Sequence, residues 1–168
     1  EYMPFRSVLP IPAIAGMGSD FIAGDGPRTL RVKGLPPFSP LICYEAVFSR
    51  HLIRGAERPA WLLQVTNDAW FGALSGPWQH LAQAQLRAIE SGLPLMRAAN
   101  TGVSAVIDAR GGLRATLGLN LAGRIDAVLP GPLPPTPWAR WGDWPALVLT
   151  CLGLVLAARR RRLTPGAG

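Results

Sequence analysis

The chain is poor in the residues that most often announce chemistry. Among its 168 residues are two cysteines, two histidines, two tyrosines and a single lysine, Lys33. Cys43 precedes a polar Tyr-Glu pair and Cys151 lies inside an apolar run. Two thiols in such different settings exclude a disulfide framework. His51 and His80 are isolated, and no Cys/His spacing resembles a metal site, so both read as surface or packing histidines. Acidic residues are also few: 10 against 17 basic ones, for a net charge of +7. A pI near 11.0 invites a nucleic-acid reading. The charge is not spread as a binding stripe, however: Arg159-Arg160-Arg161-Arg162 supplies more than half of the excess. A basic cluster beside an apolar helix marks the flank of a membrane segment instead. An initiator methionine, a signal peptide and a transit-peptide pattern are lacking too, and the chain reads as cut from something longer.

What is present suffices for one domain with a real core. The composition is 49% hydrophobic. Residues 1–37 are rich in Pro and Gly, with an alternating strand at Thr29-Leu30-Arg31-Val32. Pro36-Pro37-Phe38-Ser39-Pro40 punctuates the chain before an apolar strand that stops at Cys43. A helix is expected from about Ala46 to Arg54. Trp61–Thr66 reads as a strand buried on both faces. A polar-aromatic loop, Asn67–Gly72, follows. A helix runs from about Trp78 to Ser91 and stops at Gly92. Leu95–Ala99 is a further strand. Val103–Asp108 forms a hairpin with Leu113–Leu117 through Arg110-Gly111-Gly112. Arg124–Pro130 gives one more alternating strand. Strands interleaved with helices indicate an α/β layered domain.

Past a Pro-rich linker, Trp138, Trp141 and Trp144 stand at three-residue spacing, and an uncharged apolar run precedes the arginine block. From Trp141 to Ala158 the span is about 18 residues, at the short limit for crossing a bilayer. The flanking tryptophans and arginines favour a membrane helix over a buried core helix, with the C-terminus cytoplasmic. Cys151 then carries no chemistry.

Cys43 is the candidate nucleophile. A thiol at a strand end is rigidly held, and at a helix start it gains from the dipole and from a free Tyr44 N–H for an oxyanion. Glu45 either points into the same cleft or caps the helix. Tyr44 either serves the site or packs. Trp70 and Phe71, in a loop at the next strand's C-terminal end, either contact an apolar substrate or seal the core. Arg87, Glu90 and Arg97 interrupt apolar surroundings, and a Glu90–Arg97 or Glu90–Arg87 ion pair is expected. Asn100-Thr101-Gly102 reads as a tight turn with side-chain bonds to its own backbone.

Several blocks, taken in order, carry a resemblance. They are Glu1-Tyr2-Met3-Pro4-Phe5, Ile42-Cys43-Tyr44-Glu45, Thr66-Asn67-Asp68-Ala69-Trp70-Phe71-Gly72, Gly76-Pro77 with Gln79-His80-Leu81, Arg87-Ala88-Ile89-Glu90, Arg97 with Asn100-Thr101-Gly102, and Ile107-Asp108. Arg140, Gly142 and Asp143 belong with them. The chain resembles the C-terminal part of the apolipoprotein N-acyltransferases, bacterial inner-membrane enzymes whose extracytoplasmic domain has the nitrilase (carbon–nitrogen hydrolase) fold. The resemblance implies that Cys43 attacks a phospholipid ester and forms a thioester. The α-amine of a diacylated lipoprotein cysteine then takes the acyl group. It also implies that Glu1, Tyr44 and Glu45 surround the nucleophile and that Trp70 and Phe71 line the acyl or substrate site. The family's base glutamate and triad lysine precede the Glu-Tyr-x-Pro-Phe motif. Lys33 lies after it and does not match, so these residues alone are expected to be inactive.

The resulting expectation is an α/β fold. Residues 1–138 form part of a nitrilase-like α-β-β-α sandwich, 141–158 a transmembrane helix and 159–168 a basic cytoplasmic tail. A monomer is expected, with no metal, other cofactor or nucleic acid. The alternatives are a nitrilase-type amidohydrolase of a soluble amide, which a membrane helix argues against, and a truncated remnant without activity.

Overall fold

The computed structural model describes residues 26–49, 53 and 57–163. Its centre is one five-stranded sheet in sequential order: β1 (Phe38–Ile42), β2 (Trp61–Asn67), β3 (Leu95–Asn100), β4 (Ser104–Ile107) and β5 (Leu113–Leu117). The first three strands are parallel and the last two antiparallel. Parallel neighbours need a crossover, which α1 (Gly76–Ser91) supplies between β2 and β3. The C-terminal ends of β1, β2 and β3 therefore lie along one edge.

The strands form where apolar runs are bounded by turn residues. Leu62, Leu95 and Ile107 are fully buried, and with Leu41, Ala46, Leu93, Val103 and Ala105 they pack against Leu81, Ala84 and Ala88 of α1. Pro77 lies in the first turn of that helix, where its missing N–H loses nothing. The helix ends at Gly92, as the sequence suggests, with φ +66 and its N–H on the carbonyls of Ala88 and Ile89. A side chain at Gly92 would be strained by that φ and would also meet the Pro134 carbonyl at 3.0 Å. The chain after the sheet is strapped across this end: Leu133 N donates to Gly92 O (2.9 Å), and the Thr136 hydroxyl donates to Glu90 O.

Several expectations are corrected. Thr29–Val32 contributes a single bridge, Leu30 to Phe38, because a turn at Lys33–Leu35 closes it and leaves Val32 exposed. The helix expected from Ala46 to Arg54 is a short 3₁₀ turn, Cys43–Val47, ended by extended backbone at Phe48; most of the later residues lie outside those described. Arg124–Pro130 is irregular: no strand among the described residues pairs with it, and Val128 is almost wholly exposed. The described residues build one sheet with its helices, and the second sheet of an α-β-β-α sandwich is not among them.

The transmembrane helix expected at 141–158 is corrected as well. Among the described residues, no helix is long and apolar enough to cross a membrane. The expected span is broken: α2 (Pro137–Trp141) ends at Gly142, with φ +55, and α3 (Trp144–Leu163) starts afresh. The charge-free part, Trp144–Ala158, covers roughly 22 Å at about 1.5 Å per residue, short of the roughly 30 Å hydrocarbon core of a bilayer. Its side chains are exposed along the described length.

Candidate active site

Strand alternation sets the site. On β2 the buried residues include Leu62 and Gln64, and on β3 they include Leu95 and Arg97. Gln64 and Arg97 are direct register partners. The face beneath α1 is thus apolar where the strands begin and polar where they end. The helix follows the same rule: its buried stripe holds Leu81, Ala84 and Ala88, but also His80 and Arg87.

Cys43 stands where β1 stops and opens the Cys43–Val47 turn. Its φ is +50, a left-handed conformation that a side chain with a Cβ rarely adopts. Such strain persists where surrounding contacts fix it, and it clusters at functional positions. Two core side chains hold the turn's carbonyls. Gln64 Nε2 donates to Cys43 O (3.1 Å), and Arg87 Nη1 donates to Val47 O (3.3 Å). The thiol is partly exposed.

Below Cys43 lies a buried polar network. Arg97 Nη1 donates to Gln64 Oε1 at 2.6 Å, Arg97 Nη2 to Asp68 Oδ2 and Arg97 Nε to Val103 O at 3.1 Å. Asp68 Oδ1 also receives the Thr66 hydroxyl (3.1 Å) and lies 2.9 Å from His80 Nδ1. His80 Nε2 is 3.1 Å from Gln64 Nε2. Burial pushes the Arg97 guanidinium below its ordinary value, while the Asp68 carboxylate and charge on Cys43 act the other way. Two loops are stitched above the network: Asn67 Oδ1 accepts Ala69 N and Asn100 Nδ2, both at 3.2 Å. Gly102 passes so close to Asp68 that any Cβ there would collide with the carboxylate.

The expected site residues are placed as follows. Glu45 folds back so that Oε2 accepts Ile42 N at 2.6 Å, the capping alternative. Tyr44 is exposed and meets Phe48 edge-on at 5.7 Å. Trp70 and Phe71 lie on the Asp68–Phe71 turn after β2. Trp70 is 70% exposed, and Phe71 sets its ring edge-on to His80 at 5.2 Å. Glu1 lies outside the described residues. Of the two alternatives for Glu90, the Arg87–Glu90 pair forms at 2.9 Å, and Arg97 pairs with Asp68. Asn100 bonds to Asn67 and not to its own backbone.

Gln64, Asp68, His80 and Arg97 were not singled out as site residues from sequence. A signal existed: Gln64 and Arg97 follow Leu62 and Leu95 by the same two positions, and His80 falls on the buried stripe of α1. Among the described residues, no cluster of three His, Cys, Asp or Glu side chains could hold a metal ion. An open cleft of about 500 Å³ between Asp108–Arg114 and Ala127–Leu133 lies away from Cys43.

Comparison with known proteins adds the following. Residues 5–128 match the family described as carbon-nitrogen hydrolase. The apolipoprotein N-acyltransferase of Bradyrhizobium diazoefficiens is 49% identical over 164 residues, covering 96% of this chain and 30% of its own length. That of Rhodopseudomonas palustris is 46% identical over 170 residues, 99% of this chain and 32% of its own length. The chain thus spans about a third of these relatives. An amidase from Nesterenkonia sp. AN1 overlays 59% of this chain and 41% of its own, at 27% identity and a TM-score of 0.46.

Proposed function

The chain belongs to the carbon–nitrogen hydrolase family, and from that premise we propose that it is the nucleophile-bearing part of an apolipoprotein N-acyltransferase. One observation carries this reading. A partly exposed, left-handed Cys43 sits at the strand end, over a buried cation, in a chain nearly half identical to proteins of that name over almost its whole length.

In the proposed chemistry the Cys43 thiolate attacks the carbonyl carbon of a phospholipid acyl ester. The tetrahedral intermediate collapses, the C–O bond breaks and the lysophospholipid alkoxide leaves with a proton. Cys43 then carries the acyl group as a thioester. The α-amine of an S-diacylglyceryl cysteine attacks that thioester, an amide forms, and the thiol is regenerated with the amine's proton lost to a base. Arg97 anchors the polar network beneath the turn through Gln64 and Asp68. The Tyr44 N–H, next in the turn, is a candidate oxyanion donor. Glu45 holds the turn through Ile42, and Glu1 and Tyr44 complete the surroundings. Trp70 and Phe71 offer apolar surface to an acyl chain. The proposed setting is the extracytoplasmic face of a bacterial inner membrane, with the protein a monomer. The exposed apolar side chains of α3 support a lipid setting.

The test supplies the intact protein with labelled phospholipid and a synthetic S-diacylglyceryl-cysteine peptide. Acyl label on the peptide's α-amine, lost in Cys43→Ala, is the expected result. Hydrolysis of a soluble amide without transfer to the peptide would instead make the protein an amidohydrolase.

A further inference from the structure

The network beneath Cys43 has only one consistent arrangement of protons. An arginine side chain offers donors and no acceptor. Arg97 Nη1 lies 2.6 Å from the Gln64 amide and so fixes which end of that amide is oxygen. The amide nitrogen then faces two partners, Cys43 O and His80 Nε2, each at 3.1 Å. It has two hydrogens and donates one to each. His80 Nε2 must accept, so the ring's proton is on Nδ1, directed at Asp68 Oδ1 2.9 Å away. The 3.3 Å approach of Arg97 Nη2 to His80 Nδ1 is then a packing contact between two donors.

We infer that Gln64 is a positioning residue for Cys43, oriented for that task by Arg97 and His80; this rests on the nucleophile role proposed above. The amide reaches past its neighbours to one backbone carbonyl, that of the residue with φ +50. With Arg87 on Val47 O at the other end, the whole Cys43–Val47 turn is pinned from the core. The bond from Cα to the thiol arm then starts from a fixed origin. His80 and Asp68 act at one remove, by keeping the amide from turning over.

Gln64→Glu separates this role from a packing role. The carboxylate still receives Arg97, so the buried cation keeps its partner. No donor is left for the Cys43 carbonyl. In the intact protein, alkylation of Cys43 by iodoacetamide, followed by mass spectrometry on its own peptide so that Cys151 does not interfere, should slow about tenfold. The kcat for acyl transfer should fall about a hundredfold with KM within about twofold, the scale on which small misplacement acts. Wild-type rates of both would overturn the inference. Gln64→Met, measured in the same way, serves if the glutamate variant does not fold. Nitrogen-15 NMR of the unaltered protein provides an independent check: His80 should carry its proton on Nδ1, with Nε2 bare. A proton on Nε2 would overturn the inference. Slower alkylation of the variant in a protein with no acyl transfer would refute the proposed function but leave the role of Gln64 standing.

Discussion

The two halves of the sheet face beneath α1 are built from opposite chemistry. Where β2 and β3 begin, Leu62 and Leu95 meet Leu81, Ala84 and Ala88. Where they end, Gln64, Arg97, Asp68 and His80 bond to one another and to Cys43 O. Both halves are fully buried, so burial does not distinguish them. Apolar contacts are non-directional and tolerate small shifts. A buried charged network tolerates few, because every group left unpaired is costly. The apolar half supplies stability, and the polar half supplies a defined position for one residue.

The largest expected effect breaks the polar half. Arg97→Met leaves Asp68 buried without its cation and should cost about 3–5 kcal/mol in thermal or denaturant unfolding. Activity should be lost even in whatever fraction stays folded. Leu62→Ala breaks the apolar half and should cost about 3 kcal/mol. Here the folded fraction should keep its kcat, and a kcat loss like that of Arg97→Met would erase the comparison. Gly102→Ala forces a Cβ into Asp68 and should cost about 1–3 kcal/mol. The smallest effect lies away from the site. Burial raises the Asp108 pKa, but N–H groups of Gly112 and Arg110 and the Arg114 guanidinium outweigh it, and the net shift is downward. A carboxyl with a depressed folded pKa stabilises above its unfolded value, about 3.9, and loses that contribution as pH falls through the folded value. The Tm gap between wild type and Asp108→Asn should be widest near neutral pH and shrink below about pH 3.9. An unchanging gap would remove this contribution.

The same contrast explains what could be read from sequence. β1, β2, α1, β3 and the β4–β5 hairpin were legible because apolar runs end at Pro, Gly or polar turns, signals that act locally. Cys43, at the end of such a run, was legible for the same reason. Arg124–Pro130 alternates like a strand but has no partner strand among the described residues, and pairing is not written in a segment's own pattern. The span from Trp141 failed at Gly142, where a positive φ divides α2 from α3. The network was hidden because it joins three separate stretches of chain: Gln64 with Asp68, His80, and Arg97. Only the register that sets Gln64 beside Arg97, with α1 laid over both, brings them together. Gln64 was swallowed by an apolar run and His80 passed for a packing residue.

The central claim is that this pinned Cys43 is the nucleophile. Its most direct measurement incubates the intact protein with a phospholipid carrying a labelled acyl chain, without acceptor, and sequences the adduct by mass spectrometry. The account predicts one hydroxylamine-sensitive acyl thioester on Cys43. Acyl label on another residue, or none on Cys43 in a protein that still transfers acyl groups, would contradict it.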